Sequence, residues 1–294
     1  MPLLSQARKR SILEWVQSRV SLTDRNWGFY TKLFPVMEWS IRQFTRPGLG
    51  PLFRKLGAVD DMERHHSQGY VLTLNRNLDY RKEARNVVLP VTMVKRMIRE
   101  SSHRVVMNRC FCRDGKTCTS YPADFGCIFL GEGTRKLVDS GIAREASVEE
   151  ALAHLQRAAD MGLVAMCLWM EREAFGLGLN EHEHARFLEI CLCCPCCCLG
   201  LQHFRDMGPE VMQRFRSIGW RAGPREGCTG CGLCASVCPV DAVAVTGTGI
   251  TVSEACLGCG LCANGCPQGA IGMDQIAPIR KGILDYFFGF RPEV

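Results

Sequence analysis

Two hydrophobic periods run through this chain. In "ASVEEALAHLQRAADMGLV", Val148, Ala151, Leu152, Leu155 and Ala159 recur at helical spacing. Ser147 stands before them as an N-cap, Glu150 completes a capping box, and Gly162 supplies the stop. In "AVAVTGTGITVS" the apolar residues alternate on both sides of Gly-Thr-Gly, which predicts a β-hairpin. "LVAMCLWM" is a continuous apolar run, a buried strand or short helix, and "RFLEICLCC" reads as a strand. Near the start, "KLFPVMEWSIRQF" places Phe34, Met37, Ile41 and Phe44 on one helical face, and "RPGLGP" ends it. Ile12, Trp15, Val16 and Val20 predict an earlier helix, and Ile279, Ile283, Phe287 and Phe288 give the tail an apolar face.

These patterns predict an α+β chain in four parts: a helical, basic N-terminal arm over 1–86, a cysteine-rich α/β module over 87–219, a compact domain over 220–275, and an amphipathic tail over 276–294. The N-terminal helices are expected to pack on the middle module. A basic arm lying on a membrane surface or a partner is the alternative.

Composition changes the picture at one point. The chain has 294 residues, of which 47% are hydrophobic and 22% charged, but it has 19 cysteines. It opens "MPLLSQARKR" with no apolar signal region, and the uncharged stretch Ile190 to Phe204 is too short and too rich in cysteine for a membrane span. A reduced, cytoplasmic setting is therefore expected, where cysteines bind metal or do redox chemistry. The formal charge of +6 first points to nucleic acid. Each 4Fe–4S cluster with four thiolates brings roughly −2, so two clusters reduce the charge to about +2 and three to about zero. No nucleic-acid partner is expected.

"CTGCGLCASVCPV" and "CLGCGLCANGCPQ" both read C-x2-C-x2-C-x3-C-P, with Cys228 matching Cys256 and Cys238 matching Cys266. This is an internal duplication. Three closely spaced cysteines wrap one face of a cubane, glycines allow the backbone N–H groups to approach its sulfides, and the Cys-Pro turns away to the other repeat's cluster. The expected sets are Cys228, Cys231, Cys234 and Cys266, and Cys256, Cys259, Cys262 and Cys238. Paired structural zinc sites would leave the third and fourth cysteine of each copy unexplained. The region resembles bacterial two-cluster ferredoxins over roughly residues 220–275. The resemblance implies one-electron transfer through two 4Fe–4S clusters, and with it a redox partner protein.

Upstream, "NRCFCRDGKTCTSYPADFGCIFLGEG" holds Cys110, Cys112, Cys118 and Cys127 among Arg104, Arg109, Arg113 and Lys116. "CLCCPCCCLG" holds Cys191, Cys193, Cys194, Cys196, Cys197 and Cys198. Four upstream thiols match the ligand count of one cubane, and nearby cations favour thiolates. Adjacent thiols cannot all serve one cubane, because neighbouring side chains of an extended chain point to opposite faces. Pro195 forces a bend that brings Cys194 and Cys196 to one side, an arrangement suited to two metal centres or an unusual cluster. A third iron–sulfur cluster, drawn partly from each group, is the favoured reading. Zinc, thiol–disulfide chemistry and buried free thiols stay open. Cys167, in an apolar run, reads as core.

The order of these parts also resembles a family of ferredoxin-like proteins from anaerobic microbes, over roughly residues 87–275. The shared features are Cys110, Cys112 and Arg113; Cys118; Gly126-Cys127 through Glu132; Glu149 to Leu152; Gly162 to Val164; and Cys191 to Cys198. The resemblance brings no assigned reaction with it. "NEHEHARF" stands where a Gly/Pro-rich turn is expected, and its His182, His184, Glu181 and Glu183 read as a solvated polar turn. His65 and His66 remain unassigned. The function expected is that of an electron carrier or electron-transfer subunit. The alternatives are an oxidoreductase with substrate at a cluster near Cys191–Cys198, and a thiol or metal sensor. No acid–base constellation picks out the enzyme.

Overall fold

The computed structural model describes residues 15–45, 68–72, 90–169, 171–184, 186–204, 215–217 and 219–277. The expectations on Ile12, His65, His66 and the tail beyond residue 277 fall outside them. No helix among the described residues is long and apolar enough to cross a membrane.

The protein is α+β. A helical segment at 15–20 leads to a 3-10 turn capped by Thr23 and then to α1 (Trp27–Thr45). Next come β1 (Gln68–Leu72), α2 (Pro90–Glu100), β2 (Arg104–Met107), α3 (Phe111–Gly115), β3 (Ile128–Leu130), α4 (Arg135–Asp139) and β4 (Ala143–Glu145). Helix α5 (Val148–Asp160) carries the expected capping box, with the Glu150 N–H donating to Ser147 Oγ and the Ser147 N–H to Glu150 Oε2. It is followed by β5 (Val164–Trp169), α6 (Glu171–Gly176), α7 (Glu181–His184), β6 (Leu188–Cys193), α8 (Leu199–His203) and β7 (Phe215–Arg216). The C-terminal part contains β8 (Trp220–Pro224), α9 (Leu233–Ser236), β9 (Val243–Thr246), β10 (Gly249–Val252), α10 (Leu261–Asn264) and β11 (Ile271–Gln275).

Seven strands form one sheet in the order β4-β2-β3-β6-β5-β1-β7, antiparallel except for the β1–β7 pair. Strand β1 lies in the stretch expected to be helical and pairs with β5, so residues 68–72 extend the sheet instead. Alternation along the central strands decides which side chains face which layer. Val106, Ile128, Leu130, Leu188, Ile190, Leu192, Ala165 and Cys167 face a core closed by α2 and α5. Val105, Met107, Phe129, Phe187 and, in part, Cys191 face the opposite side, closed by Leu22, Trp27, Leu137 and Leu179. Cys167 is fully buried in the first core, as expected.

Helix α1 packs on the segment that carries Cys112. Phe34 is fully buried, sits edge-on to Phe111, and lies so close to Gly115 that a Cβ there would meet its ring at 2.4 Å. Trp27 Nε1 donates to Asp114 Oδ2 at 2.5 Å, and Lys116 pairs with Glu38 at 2.7 Å. Trp15 and Val20, expected on a packed face, are 61% and 39% exposed, so the earlier helix turns them outward.

The duplicated C-terminal part keeps its symmetry in three dimensions. α9 and α10 begin at the same point of each cysteine triplet, one residue before its third cysteine, both behind a left-handed glycine: Gly232 with φ 78° and Gly260 with φ 80°. That conformation strains any residue with a Cβ. β9 and β10 form the expected hairpin, and β8 closes on β11. Asn264 Nδ2 donates to the Gly162 carbonyl at 3.1 Å, which ties this part to the end of α5.

Candidate metal centres

In the C-terminal part the eight cysteines separate into two cavities. One is lined by Cys228, Cys231, Cys234 and Cys266, with Val245 and Ile250. The other is lined by Cys238, Cys256, Cys259 and Cys262, with Leu257 and Leu261. Each cavity thus takes three cysteines from one repeat and the Cys-Pro cysteine from the other. Burial pushes the Cys259 thiol up to about 12, with the charges of Cys256 and Cys238 adding to the effect. Thiols held this way ionise on binding a cation and release protons as they do so. Four thiols around an apolar, walled space fit a cubane.

The ten middle thiols fall into two groups, each drawn partly from the upstream stretch and partly from the block. Cys110, Cys112, Cys118 and Cys127 do not form one set. Cys110 interacts with Cys112 and Cys127, Cys127 with Cys191, Cys191 with Cys193, and Cys112 with Cys198. Cys198 Sγ closes the circuit at 3.1 Å from Cys193 Sγ. Six thiols therefore form a ring, buried for Cys110, Cys127, Cys193 and Cys198 and half-buried for the other two. Cys118 lies elsewhere, with Cys194, Cys196 and Cys197.

The strand explains the division. Cys191 and Cys193 are two apart on β6 and share a face, whereas Cys194 points the other way. Pro195 then opens a turn, pinned by Gln202 Nε2 donating to the carbonyls of Pro195 and Cys196, each at 3.0 Å. The turn keeps Cys196 and Cys197 beside Cys194 and returns Cys198 to the ring. The expected approach of Cys194 to Cys196 is present, at 3.7 Å.

Arg113 stands between the two groups and is fully buried. Its Nη1 donates to the Leu192 carbonyl at 3.0 Å and its Nη2 to the Phe125 carbonyl. Burial acts to lower its pKa, but Cys110, Cys127 and Cys194 around it outweigh that and raise it. In the ring, thiol donors Cys112 and Cys127, aided by Arg113, hold Cys110 well below the usual thiol range. Cys110 in turn holds Cys112 and Cys127 well above it. Two thiols and one fixed cation thus surround Cys110.

Two polar groups here escaped sequence reasoning. Glu189, on β6, is 2% exposed and accepts the Cys191 thiol proton at 2.5 Å. Burial, then Glu173, raises its carboxyl well above the ordinary range. Cys127, Glu189 and Cys191 keep their ligand atoms within 4.8 Å of one another. His154, on the buried face of α5, is 3% exposed, stacks on Phe125 at 3.9 Å and meets the Gly126 carbonyl through Nε2 at 2.8 Å. Only its place three residues after Ala151, beside Leu155 of the apolar stripe, signalled this. Within "NEHEHARF", Glu181–His184 is a short helix rather than a turn. Asn180 caps it with Glu183, and His184 is buried while His182 is exposed. An open pocket includes Asn108, Asp124, Arg144, His154 and Arg157 in its wall and no cysteine.

No curated protein and no solved structure was found to match the chain. One family model matches a part of it: residues 227–271, the stretch that carries both cysteine repeats, match the 4Fe-4S dicluster domain, so this part of the protein is a ferredoxin-like module.

Proposed function

We propose that the protein is an iron–sulfur electron-transfer protein that passes single electrons between a redox partner and a further centre in its cysteine-rich module. Cys228, Cys231, Cys234 and Cys266 would hold one 4Fe–4S cluster, and Cys256, Cys259, Cys262 and Cys238 a second. Such clusters supply reversible one-electron chemistry, usually at low potential. The chain's own part is to seat them in apolar surroundings and to connect them to the ring formed by Cys110, Cys112, Cys127, Cys191, Cys193 and Cys198.

One observation carries this reading. Cys193 and Cys198 of the ring and Cys259 of the second cavity belong to a single buried cluster with Val164, Met166, Leu257 and Leu261. That contact is packed and buried, so an electron in the second cavity would have a route through protein atoms to the ring. Arg113 offsets the negative charge that a thiolate-bound centre brings. The exposed Cys231 puts the first cavity at the surface, where a partner can approach. A reduced, cytoplasmic setting accords with 19 free thiols. The enzyme alternative gains little, since the open pocket has no cysteine in its wall.

The test is anaerobic reduction with dithionite, followed by EPR, on wild type and Cys193→Ala. Wild type should give the spins of two reduced clusters and a further signal, and the variant should lose only the further one. Two-cluster spectra identical in both proteins would remove the relay to the ring. Absence of any cluster signal would remove the electron-transfer reading.

A further inference from the structure

Cys118, Cys194, Cys196 and Cys197 form a second thiol group, distinct from the ring, and its dimensions are those of a smaller centre. Their four Sγ atoms all lie within 4.8 Å of one another. Cys118 to Cys196 and Cys196 to Cys194 are both 3.7 Å. Four thiolates at about 2.3 Å from one tetrahedral ion stand about 3.8 Å apart. Around a cubane, whose four irons push the thiolates outward, the separation is on the order of 6 Å. The same molecule supplies the comparison: none of its eight C-terminal cysteines belongs to a thiol group this tight, and they border cavities instead.

We propose that Cys118, Cys194, Cys196 and Cys197 bind a single tetrahedral transition-metal ion, zinc or iron, as a four-cysteine centre separate from any cluster. The surroundings suit thiolates. The backbone N–H groups of Ser120 and Tyr121 point to Cys118 Sγ. Arg113 hydrogen-bonds to Cys194, so a fixed cation offsets the net −2 of a divalent ion with four thiolates. Gln202 fixes the turn that presents Cys196 and Cys197. The ion would join two loops far apart in sequence, the Cys118–Tyr121 loop and the turn after β6, and so hold Cys193 and Cys198 in place for the ring. This accounts for the crowding of "CCPCCC": the strand and turn divide it between two centres, and the ion's site does not depend on what the ring contains.

The experiment compares metal and acid-labile sulfide in the full-length protein, purified without oxygen, as wild type, Cys118→Ser/Cys196→Ser and Cys228→Ser. The double variant should lose one metal ion per chain, zinc or iron, with sulfide unchanged. Cys228→Ser should lose about four irons and four sulfides and keep that ion. If the lost metal is zinc, X-ray absorption at the zinc edge in wild type, which needs no variant to fold, should show four sulfurs at about 2.3 Å and no metal neighbour; if it is iron, Mössbauer spectra of reduced wild type should show one isolated high-spin ferrous site beside the cluster iron. Loss of about four irons with equal sulfide from the double variant would overturn the proposal, as would no loss of metal, a metal neighbour at the zinc edge, or lost iron with no isolated ferrous site in wild type. Cys196 is exposed, so its replacement removes little packing.

Discussion

Replacing Arg113 with methionine tests whether a buried cation joins the two thiol groups. The guanidinium is fully buried and donates to two carbonyls, Leu192 and Phe125. Methionine fills the space of its stem but donates nothing. Each buried carbonyl left without a donor costs about 1–3 kcal/mol, and loss of one partner from a buried charged group typically costs about 3–5 kcal/mol in all. We expect a destabilisation of about 4 kcal/mol. For 294 residues the unfolding entropy is roughly 0.6 kcal/mol/K, so Tm should fall by about 6 °C, at fixed scan rate and without oxygen. Arg113→Lys keeps a charge but cannot reach both carbonyls and should fall between. Arg109→Met is the control: its side chain is 54% exposed and 3.9 Å from Asp114, a pair worth under about 1 kcal/mol. A Tm for Arg113→Met within about 2 °C of wild type would refute the reasoning, and so would an equal fall for Arg109→Met.

Two further outcomes follow from the geometry. Cys266→Ala should remove or degrade the cluster bound by the first repeat's Cys228, Cys231 and Cys234, leaving the EPR signals of the module's other cluster and of the ring; loss of the Cys256, Cys259 and Cys262 cluster instead would contradict the crossed sets. His154 has its pKa lowered to about 4, mainly by burial, with Arg157 and Arg144 adding to that. Unfolded histidine titrates near 6.5, so this stability is complete above that value and is lost as pH falls toward 4; between pH 7 and 5.5 the loss is about 1 kcal/mol. His154→Gln, which can still donate to the Gly126 carbonyl, should show a pH slope flatter by that amount in denaturant unfolding, and an unchanged slope would contradict the burial argument.

Local signals carried well into the fold. The capping box of Ser147 and Glu150, the alternation around Gly247 and the 28-residue offset between the repeats each depend on neighbours in sequence, and each appears in the structure. The failures involve distant partners. Nothing near residues 68–72 announces that they will pair with β5. Arg113 and Arg109 look alike in sequence, yet one is buried between thiols and the other exposed, because α1 and the β6 turn close over α3 from different directions. Period-two alternation and the bend at Pro195 already implied that the cysteine block serves two sides of its strand. Which upstream cysteine meets which side was decided by the path from α3 to β3, and there Cys118 parts from Cys110, Cys112 and Cys127.

The proposed relay requires redox centres beyond a two-cluster ferredoxin module, with the ring as the next station for the electrons. Iron and acid-labile sulfide, counted per chain in protein purified without oxygen, test it most directly. About 12 irons or more are expected, with sulfide clearly above eight. About eight irons with eight sulfides would leave the ring without an iron–sulfur centre and contradict it.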